Sequence, residues 1–249
     1  MKFGKVTLAL LFLVLVGVAQ AQQVQVPSVN IGINPGGAKG GNDVSTSLQL
    51  MALLTVLSIA PALLILTTAF SRIVIIFSLL RTAMGTQNIP PNQVIIGLSL
   101  FLTFFVMSPT YEAVNNEAVM PLMEKKITFE QAVDRAEKPA KAFMLKNTYK
   151  KDLQLFLDYK QERPQTRDDV SLISLIPAFI ISELKTAFVV GFYLFIPFLI
   201  IDLIVASVLM SMGMMMMPPV VVSLPAKILV FVLADGWSVV VSAVLMGYR

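Results

Sequence analysis

Seven charged side chains lie inside long apolar runs of this sequence: Arg72, Arg81, Glu183, Lys185, Asp202, Lys227 and Asp235. At the centre of a bilayer each costs about 2.5–3.5 kcal/mol. Each therefore needs an opposite charge or a wet interior. Glu183 and Lys185 are two positions apart and cannot face each other on a helix. Arg72 and Arg81 are nine apart, roughly 180° around a helix, so one face cannot satisfy both. Pairing across helices or between subunits is the structural reading of these groups. The functional reading is a proton or ion relay through Glu183, Asp202 or Asp235. With no histidine in the chain, such a relay rests on carboxylates or water.

A second cluster is the run LMSMGMMMMPPVVV, with methionine at Met210, Met212, Met214, Met215, Met216 and Met217, closed by Pro218 and Pro219. Soft thioethers bind Cu(I), but apolar residues flank these and no Cys or His assists. No metal site is expected. The absence of Cys and His also removes thiolate nucleophiles, Ser-His-Asp triads and the common zinc sites. No phosphate-binding G-x-x-x-x-G-K-[ST] occurs, and the Gly-rich stretch from Gly36 to Gly41 reads as linker. The expectation is a protein without cofactor and without enzymatic activity.

The elements that must position these groups are hydrophobic helices. The chain of 249 residues is 56% hydrophobic and 14% charged, against about 25% charged in soluble domains. The formal net charge of +4 makes no case for nucleic acid. Four apolar blocks run over 48–80, 94–107, 172–217 and 220–246, and Pro90-Pro91 marks a turn between the first two. The second block stops, on this reading, at Ser108-Pro109. Between the second and third blocks, residues 110–170 hold 11 acidic and 11 basic residues. That balance reads as a solvated helical insert. Thr128 and Gln131 fit a capping box opening a helix to about Asn147 with Pro139 near its middle, and a short helix follows over 152–159.

The N-terminus has the form of a signal peptide. Lys2 and Lys5 precede an apolar run from Val6 to Val18, and Ala19-Gln20-Ala21 is an A-x-A site. The run is short of the ~20 residues a span needs. Cleavage is expected between Ala21 and Gln22, which leaves a polar, poorly ordered lead over 22–46. Orientation follows. The first block crosses inward with Arg72 and Arg81 at its inner end, the second returns, and the insert lies in the periplasm. The third and fourth blocks cross in and out, with the methionine run at the cytoplasmic turn. The organisation expected is signal 1–21, lead 22–46, first helical hairpin 47–109, insert 110–170 and second hairpin 171–249.

Two stretches carry a specific resemblance. They are FSRIVIIFSLLRTAMGTQNIPPNQVIIGLSLFLTFFVMSP over 70–109 and the run over 176–237 with SELKTAF, PFLIID, MSMGMMM and LADGW. Together they resemble the FliP family of flagellar export-gate proteins, with related virulence secretion subunits. The resemblance implies an all-α, multi-pass core subunit of the flagellar type III export apparatus in the bacterial inner membrane. Several copies, five in the family, assemble with FliQ and FliR inside the basal-body ring. They surround a channel for unfolded flagellar subunits. It also implies a gasket matching Met210, Met212 and Met214 to Met217. On a continuous helix, Met210, Met214 and Met217 share one side. An independent ion- or metabolite-coupled transporter and a virulence export-gate subunit are the alternatives.

Overall fold

The computed structural model describes residues 41–86, 88–214 and 216–248. The expected signal peptide, its expected Ala21-Gln22 junction and most of the expected lead lie outside the described residues. The chain divides into two units, Met1–Ala52 and Leu53–Arg249. The described part of the first is wholly helical.

Every element among the described residues is helical. They are α1 (Gly41–Leu66), α2 (Phe70–Ala83), α3 (Asn92–Val114), a π-helical turn (Asn115–Val119) leading into α4 (Met120–Met123), α5 (Phe129–Lys146), α6 (Lys150–Lys160), a 3-10 turn (Arg167–Asp169), α7 (Leu172–Ser211), α8 (Pro219–Leu233) and α9 (Gly236–Met246). Helix α1 starts at Gly41, inside the stretch expected as unstructured lead.

Two spans are long and apolar enough to cross a membrane, Asn92–Met123 with 32 residues and Leu172–Ser211 with 40. Two bent pairs, Leu50–Leu66 with Phe70–Ala83 and Pro219–Leu233 with Gly236–Met246, raise this to four if each counts as one. At a rise of 1.5 Å per residue, α7 is about 60 Å long, twice a hydrocarbon core of about 30 Å. Standing along the bilayer normal, it would extend well beyond one.

The expected stop at Ser108-Pro109 does not occur: α3 runs through it. Proline has no N–H for the carbonyl four residues back, here that of Phe105. The Ser108 hydroxyl donates to that carbonyl at 2.9 Å and supplies the missing bond. The Pro90-Pro91 turn is present, with Pro91 capping α3.

Helix α2 forms the centre of the main core. Ile73, Ile76, Phe77, Leu80 and Ala83 are buried at helical spacing. Ile95 and Met107 of α3, Ala187 and Phe198 of α7, Phe231 of α8, and Val240 and Val244 of α9 pack into the same core. Close approach of α2 to α7 needs Gly191, where a Cβ would fall 2.3 Å from Leu79 Cδ1. The fourth block breaks at Asp235, which takes φ 49°, and α8 and α9 bend by 65°. Gly236 follows because a Cβ there would sit 2.2 Å from the Phe231 ring.

The insert has a core of its own. Met144, Leu157 and Val170 pack on Leu175 and Phe179 of α7. The capping box of α5 is formed: Thr128 Oγ1 accepts from the Gln131 N–H at 3.3 Å, and Gln131 Oε1 accepts from the Thr128 N–H at 3.2 Å. Pro139 lies within α5, and α6 covers the expected second helix.

Candidate functional site

The charges inside the apolar runs resolve into pairs joining distant segments. Arg72 on α2 grips Glu183 on α7 in bidentate fashion, with Nε donating to Oε2 at 2.9 Å and Nη2 donating to Oε1. Glu183 has no exposed surface and Arg72 has 4%. Such a pair survives burial only when its remaining donors and lone pairs are met. Arg72 Nη1 donates to the Gly247 carbonyl at 3.0 Å, and the Tyr248 hydroxyl donates to Glu183 Oε2 at 2.6 Å. The Tyr248 ring lies under the guanidinium at 4.0 Å and stacks on Phe143 of the insert.

Lys227 on α8 donates to Asp202 Oδ2 on α7 at 2.6 Å and to the Ala83 carbonyl at 3.4 Å. Ser223 Oγ donates to Asp202 Oδ1 at 2.6 Å. This cluster ties α8 to both α7 and the C-terminal end of α2.

Lys185 pairs with Asp152 of the insert, to whose other oxygen Ser182 Oγ donates at 2.9 Å. Asp152 is buried, although it reads in sequence as one of many carboxylates of a solvated segment. Burial alone would raise its pKa, but the hydrogen bonds from Lys185 and Ser182 outweigh it and hold the carboxyl below its ordinary value. The signal that could have pointed to it is Lys185 itself, a cation needing an anion off its own helix.

Two groups expected among the buried charges are not buried in this chain. The Lys185 side chain is 54% exposed, because only its tip reaches the insert. Asp235 is exposed at the α8–α9 break, with no side-chain bond to the cap of α9. Arg81 is half-buried and meets neutral acceptors only, Asn92 Oδ1 at 2.6 Å and the Pro90 carbonyl at 3.4 Å.

The methionine run is not a helix that carries Met210, Met214 and Met217 on one side. Helix α7 ends at Ser211, and Gly213 turns into the left-handed region at φ 76°. The Met214 N–H donates to the Leu209 carbonyl and the Gly213 N–H to that of Met210, both at 3.0 Å. This is a Schellman ending, which glycine allows without steric cost. Met210 and Met212 sit on the last turn and its cap, and Met214, Met216 and Met217 on the connection to α8, while Met215 is outside the described residues. All five described methionines are exposed, Met216 completely. Among the described residues no group of His, Cys, Asp or Glu is arranged to hold a metal ion.

Two helices long and apolar enough to cross a membrane, ion pairs joining distant helices and an exposed methionine turn are features of a helical membrane protein. Its sequence matches the FliP family model over residues 53–244. It is 57% identical over 207 residues to the flagellar biosynthetic protein FliP of Bacillus subtilis, covering 83% of this chain and 94% of that one. It is 46% identical to the Aquifex aeolicus protein of that name, covering 90% and 93%, and 44% identical to that of Agrobacterium fabrum, covering 98% of both. The chain belongs to the FliP family.

Proposed function

We propose that this chain is a core subunit of the flagellar type III protein export gate, placed in the bacterial inner membrane at the flagellar basal body. Several copies, five by family resemblance, assemble with FliQ and FliR around a channel for unfolded flagellar proteins. The chain serves as a structural element of that channel and catalyses no reaction. The observation that carries this reading is the α7–α8 turn, whose five described methionines stand exposed in their own chain. Full burial of each such side chain is worth about 1.5–3 kcal/mol, so copies that bring these turns to one axis gain by covering them. Methionine is unbranched and polarizable. A ring of it closes to ions by dewetting and deforms around passing chains of any sequence.

The test is leak through the assembled complex in cells, with Met214 to Met217 replaced by Ala, measured beside secretion of flagellar subunits. The reading expects ions and small molecules to leak while secretion continues. An unchanged barrier with secretion intact would place the seal elsewhere.

A further inference from the structure

The methionine turn stands at the tip of a two-helix arm. Along α7 the hydrophobic core reaches Ile201, and on α8 it resumes at Phe231. Among the described residues of 203–222, Leu209 alone is buried. Outside the helical ladders, the hydrogen bonds of this stretch stay within 203–223. It carries no charge. Helix α7 continues from Leu203 to Ser211 before it ends, so the tip lies about 14 Å beyond Asp202.

The root of the arm is polar. One carboxylate, Asp202 on α7, accepts from Ser223 Oγ and from Lys227 Nζ on α8, each at 2.6 Å and each through a different oxygen. Ser223 and Lys227 are four apart and share one side of α8. Both are buried, at 0% and 4% exposure. Two bonds to one group fix the rotation of α8 and its slide along α7 together. Lys227 Nζ also donates to the Ala83 carbonyl at 3.4 Å. That carbonyl lies at the C-terminal end of α2, where the helix dipole favours a cation. The arm is thereby referred to the central helix of the core. Apolar contact is non-directional, so Leu209 holds the arm closed on itself without setting its direction.

We infer that Asp202, Ser223 and Lys227 are positioning residues for the methionine turn: they set the angle at which the arm leaves the bundle. The lever is sensitive. A tilt of about 10° at the root moves a tip about 14 Å away by about 2 Å, more than the 1.4 Å probe radius of a water molecule. Loss of the cluster therefore opens a water-sized gap in a seal built from such tips. The inference rests on the reading of the turn as a seal and adds the groups that place it.

The experiment uses the assembled complex and the variants Asp202→Asn and Lys227→Met. The chain has no cysteine of its own, so Ser211→Cys on the arm and Thr82→Cys on α2 take spin labels at two exposed positions. Labelled copies are diluted with unlabelled ones, and the spacing within one copy is measured beside ion leak and secretion in cells. The expected result is a spacing that shifts or broadens by about 2 Å or more, with leak approaching that of the Met214 to Met217 replacement by Ala and secretion retained. A merely structural role would lower the amount of complex without moving the tip in the complex that forms. Where a single variant yields no complex, Asp202→Leu combined with Lys227→Met takes its place, since it strands no buried charge, and the same shift is expected. A tip that stays in place would overturn the inference. So would a shifted tip without leak where the alanine replacement leaks. No leak from the alanine replacement would instead remove the seal reading beneath it.

Discussion

The cluster at Arg72–Glu183 and the turn at Met210–Met217 lie at opposite poles of completeness. At the first, two opposite charges with almost no exposed surface have further groups met by the Gly247 carbonyl and the Tyr248 hydroxyl, and Phe143 stacks on the Tyr248 ring. At the second, side chains that gain from burial stand in the open. At the first cluster the chain satisfies its buried charges by itself, and at the second it leaves apolar side chains exposed. On the proposed multi-copy reading, the difference separates what holds one copy together from what a copy presents to others. Substitutions at the first should act on folding of the single chain; those at the second should act on the assembled channel.

The largest effect is expected at Glu183. Glu183→Ala leaves the Arg72 guanidinium buried and unpaired, at about 3–5 kcal/mol, read as a large fall in the thermal midpoint of the detergent-solubilised chain. A midpoint unchanged by this substitution would erase the contrast, since the polar cluster would then be as dispensable to folding as the methionine turn. Tyr248→Phe sharpens the comparison with a smaller change. It removes one hydroxyl bond to a carboxylate, worth about 1.5–3 kcal/mol, while keeping the ring under Arg72 and against Phe143. The midpoint should fall by less than for Glu183→Ala, with the barrier to ions unaffected.

The smallest effect concerns the insert and its pH dependence. Asp152 has a lowered pKa in the folded chain, first opposed by burial and then carried down by its bonds from Lys185 and Ser182. A lowered folded value means the contribution is present above the unfolded pKa of about 4 and is lost as pH falls through the folded one. Protection of α6 amides against hydrogen exchange should therefore drop on acidification below about pH 4, and Asp152→Asn should flatten that part of the profile. A profile identical in the two proteins would show that the Lys185–Asp152 contact contributes nothing to seating the insert.

Local features were legible in the sequence where the bonds that make them are local. The Thr128–Gln131 cap spans three residues, and Pro90-Pro91 ends one helix and starts the next by its own geometry. The need of each apolar-run charge for a partner was legible from cost alone. Which groups pair was not, because the partners lie 111 positions apart for Arg72–Glu183, 33 for Lys185–Asp152 and 25 for Lys227–Asp202. Ser108-Pro109 misled because a neighbouring hydroxyl repairs the bond that proline removes. The methionine run misleads because i, i+4 spacing does not carry across Gly213. A glycine at the end of an apolar helix is itself the sign of a left-handed stop.

The most direct test of the unfinished surface is methionine oxidation by peroxide, followed by mass spectrometry, on the assembled complex and on the dissociated chain. If other copies complete the turn, Met210 to Met217 oxidise readily in the dissociated chain and are protected in the complex. Buried Met107 and Met144 serve as internal references that stay protected in both. Equal oxidation of the turn in the two states would contradict the account.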